Sequence, residues 1–222
     1  MGPLIRQLIT NAIAAAPLTL WYGWLLGREV PKLADSIAYN VEHPDALQAL
    51  RLFAYASSMS FLILFALLMI VRIAPRAVSS TNSGKVVALL GAFGSSLFLL
   101  LPYAPLSAVH AALSASLVTA GTFFSTCALA YLGRSISILP GARKLVLIGP
   151  YRFIRHPIYL GELCALVGTM MLFEQPWSLM LFSMIAAAQW RRILHEEAVL
   201  DRAFPQYSNY KRSTHRLIPG IY

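Results

Sequence analysis

Charge is scarce in this sequence. Asp, Glu, Lys and Arg make up 12% of its 222 residues, about half the share of an ordinary soluble domain. Cysteine is scarcer still, with only Cys127 and Cys164. Both stand inside apolar blocks, which excludes a disulfide framework, and no CxxC or Cys/His cluster offers a metal site. A cleaved leader is not expected either. The first apolar stretch begins after Arg6 and runs to about Leu26, long for the apolar core of a signal peptide. Internal repeats and low-complexity tracts are also lacking.

What fills the chain is apolar sequence in blocks of bilayer length. Hydrophobic residues make up 58% of it, and a span needs roughly 20 apolar residues in a row. Four blocks run roughly from Leu8 to Leu26, Leu52 to Val71, Val86 to Leu106 and Ala108 to Leu132, none holding Asp, Glu, Lys or Arg. Pro102, Tyr103 and Pro105 mark the turn between the third and fourth. A fifth apolar region, 158–190, is broken by Glu174, Gln175 and Pro176. Each half is slightly short for a span, so the sequence predicts a tight helical hairpin. Trp190, Ile193, Leu194 and Ala198 repeat at helical spacing, which predicts an amphipathic helix to Phe204, stopped by Pro205. The expected fold is all-α: a polytopic transmembrane bundle of about four spans, a C-terminal hairpin and an amphipathic cytosolic helix. Residues 1–130 form the membrane part and 131–222 the functional part.

The net charge of +9 points to orientation rather than to nucleic acid. With a cytosolic N-terminus, only Arg28, Lys32 and Arg51 of the 18 basic residues fall outside. That bias expresses the positive-inside rule. The expected location is a bacterial inner membrane or the endoplasmic reticulum, with the loop over 28–51 facing away from the cytosol.

Two basic segments flank the hairpin and meet at one membrane face: Arg143 to Glu162, and Arg191 to Glu197. Pro157 biases His156 away from helix and suits the first helical position. The free N–H groups of that helix start suit an anion. Tyr151 and Tyr159 can stack on a base or sit against a cation, although an interfacial belt also gathers Arg, Tyr and Trp. Arg192 and Glu196 are spaced for a salt bridge. Glu197 lies near the apolar face of its helix and needs a partner or a ligand. His43, His110 and His215 read as structural.

Gly149-Pro150-Tyr151, followed by Arg155-His156-Pro157-Ile158-Tyr159-Leu160-Gly161, resembles the isoprenylcysteine carboxyl methyltransferase family. Its wider group includes the phospholipid N-methyltransferases. Arg192, Glu196-Glu197, Phe204, Tyr207, Tyr210 and Arg216-Leu217-Ile218-Pro219 continue the likeness, which covers residues 131–222. Pro205 departs from it, where the family usually has glycine. The resemblance implies S-adenosyl-L-methionine as cofactor, with no Rossmann glycine loop, and a lipophilic acceptor reaching the site from the membrane lipids. It implies Lys144, Leu145, Val146, Tyr151, His156, Pro157, Ile158, Tyr159 and Glu196 as cofactor contacts, and Arg192 as the acceptor contact. A carboxylate acceptor such as a prenylcysteine-like or isoprenoid acid needs no base. An amine acceptor needs one, and Glu197 or His195 is then the candidate. Two other classes stay open: a sterol-type membrane reductase using NADPH, and a non-enzymatic transporter or scaffold. No metal and no nucleic acid are expected.

Overall fold

A computed structural model describes residues 3–78 and 81–220. Met1, Gly2, Ser79, Ser80, Ile221 and Tyr222, the last of these the expected end of the functional part, lie outside the described residues. The architecture is an all-α helical membrane bundle. Three described helical stretches are long and apolar enough to cross a membrane: Ala46–Val71, Asn82–Leu100 and Ala108–Ser135. Their outward faces carry exposed Phe53, Leu67, Val86, Leu100 and Phe123, as surfaces bathed in lipid do.

The first apolar block lies inside α1 (Pro3–Glu42) and is not among those three stretches. The helix does not stop at Leu26. It continues through most of the expected loop over 28–51, and the break shrinks to His43-Pro44-Asp45 before α2 (Ala46–Val71). The reason is local. Arg, Glu, Lys, Leu and Ala are good helix formers even where they are too polar for a span, and Lys32 pairs with Glu29 at 2.8 Å one turn apart.

After α2 the chain forms β1 (Ala77–Val78) and α3 (Asn82–Phe93), and α3 tightens into a 3-10 stretch over Gly94–Leu100. α4 (Ala108–Leu132) is the central helix, and the dividing point expected at 130/131 falls within it. β2 (Gly141–Ala142) pairs antiparallel with β1 and so ties the segment after α4 to the segment after α2. The hairpin is α5 (Pro157–Met170) and α6 (Trp177–Ala203). The amphipathic stretch from Trp190 is not a separate helix but the last half of α6, since nothing between Trp177 and Ala203 interrupts it. A short α7 (Tyr207–Ser213) follows Pro205.

α4 and α5 touch backbone to backbone. A Cβ on Gly121 would fall 2.5 Å from the Gly161 carbonyl oxygen and the Ala165 nitrogen, so only glycine fits. Ser125 Oγ donates to the Ile158 carbonyl at 3.0 Å and Ser114 Oγ to the Gly168 carbonyl at 2.8 Å. At the far end, the Glu174 N–H bonds the Pro102 carbonyl at 3.1 Å and the Ala104 N–H bonds the Leu172 carbonyl at 3.0 Å. Tyr103 stacks on Phe173 there at 4.8 Å.

Candidate active site

Pro157 opens α5 as its first residue, with His156 as the non-helical residue before it. This places His156, Pro157, Ile158 and Tyr159 at one rim. β2 delivers Lys144, Leu145 and Val146 to a second rim, and the 3-10 turn over Gly149–Arg152 delivers Tyr151. α6 supplies Arg192 and Glu196, four residues apart and hence on one face. All ten line a single cavity of about 300 Å³, at the lower end of the usual range for ligand sites.

Within it, Tyr159 donates its hydroxyl to Glu196 Oε2 at 2.7 Å. The Arg192 guanidinium lies 5.2 Å above the Tyr159 ring and donates from Nη2 to the Ile138 carbonyl at 3.0 Å. The salt bridge expected between Arg192 and Glu196 is replaced by these contacts. Arg143 is buried, and its Nε and Nη1 have no protein partner among the described residues. Burial, with the Arg72 charge nearby, pushes its pKa down to about 10.

Glu197 is placed differently from the other candidates. It does not line the cavity. Its Oε1 accepts from Arg155 Nε at 2.8 Å and stands 3.3 Å from His156 Nε2, and its Oε2 accepts from Arg216 at 2.9 and 3.1 Å. Burial alone would raise this carboxyl, but the bonds from His156, Arg216 and Arg155 outweigh it and hold it well below the usual carboxylate range. A carboxylate so held is a poor proton acceptor, which speaks against a role as a base. Its need for a partner is met by cations of the protein. His195, the other candidate base, does not line the cavity either.

Glu162 and Gln189 also line the cavity and had no role in the sequence reading. Glu162 accepts from Gln189 Nε2 at 2.8 Å, joining α5 to α6 inside the cavity. The signal was available: Glu162 is the only charged residue of α5, and an ionisable group within an apolar membrane helix marks a site by default. The apolar wall was equally unnamed. It is built by the N-terminal helices through Tyr22, Phe61, Leu62, Phe65 and Ala92.

The phospholipid methyltransferase family matches residues 105–207. The protein-S-isoprenylcysteine O-methyltransferase of Schizosaccharomyces pombe is 32% identical over 111 residues, 46% of each chain. A probable protein-S-isoprenylcysteine O-methyltransferase of Oryza sativa subsp. indica is 36% identical over 83 residues, 35% of this chain and 42% of the relative. A nickel-cobalt-cadmium resistance protein of Alcaligenes xylosoxydans xylosoxydans is 28% identical over 118 residues, 49% of this chain and 53% of the relative. The chain spans about half the length of the curated relatives it matches. These matches bear out the resemblance carried by the two motifs.

Proposed function

We propose, from the membership of residues 105–207 in the phospholipid methyltransferase family, that this membrane protein moves a methyl group from S-adenosylmethionine to a lipophilic carboxylic acid. The observation that carries the reading is the single cavity that joins the basic-aromatic rim to an apolar wall, with Arg192 between them.

The residues present fit the cofactor. Leu145, Val146 and Ile158 offer an apolar strip for a base. Glu196, oriented by Tyr159, offers a carboxylate for ribose hydroxyls or an amino group. The unpartnered donors of Arg143 and the start of α5 at Pro157 suit a carboxylate. When bound, S-adenosylmethionine supplies a methyl carbon on a sulfonium: a carboxylate oxygen forms the new O–C bond, and the electron pair of the broken S–C bond stays on sulfur.

The protein's work is then alignment and exclusion of water. Arg192 holds the acceptor carboxylate through its planar fork. Tyr159 fixes Glu196 and supports Arg192 from below. Glu197 takes a positioning role, tying α6 to Arg155 and Arg216 and so holding the C-terminal segment against the start of α5. No base is needed, because a carboxylic acid is ionised at neutral pH. The lining carries Arg143, Lys144, Arg155 and Arg192 against Glu162 and Glu196, a balance that favours an anionic acceptor over an amine. The site faces the cytosol in this reading, where the basic residues of both flanking segments gather.

The test is a calorimetric titration of the detergent-purified chain with S-adenosylmethionine, with Glu196→Ala as control. Saturable binding that weakens in the control is expected. Absence of binding by folded protein would overturn the proposal.

A further inference from the structure

A second cavity lies outside the proposed active site. It is an open groove of about 440 Å³, lined by Arg155 and by the run from Lys211 to Arg216. Its cations are Arg155, Lys211, Arg212 and Arg216, and no acid lines it. Two carboxylates outside the lining reach these cations. Glu197 meets both Arg155 and Arg216, and Asp201 meets Lys211 at 2.7 Å. One carboxylate shared by two guanidiniums leaves a net positive charge. Arg212 is exposed and pairs with no acid among the described residues. The groove thus keeps an excess of positive charge.

The backbone holds these charges together. The Arg155 N–H donates to the His215 carbonyl at 2.8 Å, and the His156 N–H to the Arg216 carbonyl at 3.1 Å. Arg155 Nη1 adds bonds to the carbonyls of Lys211 and Thr214. Cations fixed side by side repel, and an anion that fits between them relieves the repulsion. Donors for it are at hand. His215 Nδ1 accepts from the Gly220 N–H at 3.4 Å, which leaves the ring proton on Nε2. Lysine and arginine donate only. The hydroxyls of Ser213 and Thr214 are turned to the Tyr210 carbonyl in α7, so cationic donors define the ligand. An anion with several oxygens, such as a phosphate, matches that set.

Position narrows the source of the phosphate. The apolar helix α5 starts at Pro157, two residues after Arg155. The groove therefore stands where apolar chain gives way to polar, the depth of lipid headgroups. Phe153, whose carbonyl accepts from the His215 N–H, is exposed, and so is Ile218, two residues beyond Arg216. The Arg152 guanidinium lies over the Phe153 ring at 5.2 Å. Apolar side chains beside basic ones suit a surface that dips into an anionic leaflet.

We infer that this groove is a second binding site, for the phosphate group of an anionic phospholipid. The headgroup enters the groove and the acyl chains stay in the bilayer. The inference does not depend on the methyl-transfer reading. Arg155 is the wall between the two sites, since it also lines the proposed active-site cavity. A headgroup in the groove therefore braces the C-terminal segment that Glu197 ties to the start of α5.

The test is thermal unfolding of the full chain in detergent. The additions are phosphatidylglycerol, phosphatidylcholine, or inorganic phosphate against chloride at equal ionic strength. Phosphatidylglycerol is expected to raise the midpoint saturably, by roughly 4 °C or more above phosphatidylcholine. Inorganic phosphate is expected to do much less. In Arg212→Gln with His215→Gln the shift is expected to fall to at most about half, and Arg212→Gln alone lowers it in part. Both side chains are exposed, so the lipid-free midpoint stays near that of the unmodified protein. Arg191→Gln removes a charge outside the groove and is expected to keep the shift. No preference for phosphatidylglycerol, a full shift in the double variant, or an equal loss in Arg191→Gln overturns the site. A shift as large with inorganic phosphate overturns the lipid as the source and identifies a soluble phosphate instead.

Discussion

The Tyr159 hydroxyl donates to Glu196 Oε2 across 2.7 Å, and this one bond joins the first turn of α5 to the last third of α6. Tyr159 is buried and carries the Arg192 guanidinium above its ring. One aromatic side chain thus orients both the carboxylate proposed to meet the cofactor and the cation proposed to meet the acceptor.

Tyr159→Phe separates those roles. The ring and its cation contact stay, while the bond to Glu196 is lost. A hydrogen bond to a charged group contributes about 1.5–3 kcal/mol, roughly a tenfold to hundredfold change in affinity. Calorimetry is expected to show weaker S-adenosylmethionine binding, with a lower thermal midpoint from the same lost bond.

Arg192→Lys keeps the charge but not the planar fork. Methyl transfer to a lipophilic acid is expected to fall at least about tenfold, because a bidentate site does not accept lysine as an equivalent. Cofactor binding measured by calorimetry is expected to persist. Unchanged turnover would remove Arg192 from the acceptor site.

Glu197 gives a dependence on acid. Its carboxyl is depressed in the folded protein, so its contribution is complete above the unfolded value of about 4.3 and is lost as pH falls below it. Thermal midpoints recorded in detergent are expected to be insensitive to this group from neutral pH to about pH 5, then to drop. Glu197→Gln removes the carboxylate charge that faces Arg155 and Arg216 at low exposure. It is expected to lose about 3–5 kcal/mol at neutral pH and to show a shallower acid limb.

Gly161→Ala tests the helix contact. The added Cβ would meet the Gly121 carbonyl oxygen at 2.5 Å and the Ser125 nitrogen at 2.9 Å. Both are backbone atoms of α4, so relief requires the helices to part. Overpacking of this kind costs typically about 1–3 kcal/mol. A lower thermal midpoint, with weaker cofactor binding as α5 shifts, is the expected result.

Much of this was legible in the sequence because membrane insertion and proline leave strong marks. The uncharged blocks disclosed the apolar helices, Glu174-Gln175-Pro176 disclosed the hairpin turn, and Pro157 disclosed the start of α5. The ten residues gathered around the cavity were readable as two motifs on either side of that hairpin. α1 was harder: Arg28 to Glu42 has the polarity of a loop and the propensity of a helix, and polarity was followed. At Glu197 the sequence shows the need for a partner or a ligand but not which, because its cationic partners, Arg155 and Arg216, lie 42 and 19 residues away. Glu162 and Gln189 lay inside apolar helices, where the sign of a site is one polar residue and not a motif. The wall formed by Phe61, Leu62 and Phe65 had no sign at all, since a residue facing a cavity and one facing lipid have the same composition.

The far end of the bundle sets how the rest can move. The turn at Pro102–Ala104 is joined to the turn at Leu172–Glu174 by backbone bonds, which do not stretch appreciably. That joint is a fulcrum, and α6 is the arm that leaves it. Arg192 lies 15 residues beyond Trp177, about 22 Å along the helix at 1.5 Å per residue. A swing of about 10° at the joint would carry the guanidinium through about 4 Å at that radius. The bonds from Gln189 to Glu162, Tyr159 to Glu196, and Arg155 and Arg216 to Glu197 oppose such a swing, so the hairpin is braced at both ends and the cavity between keeps its width.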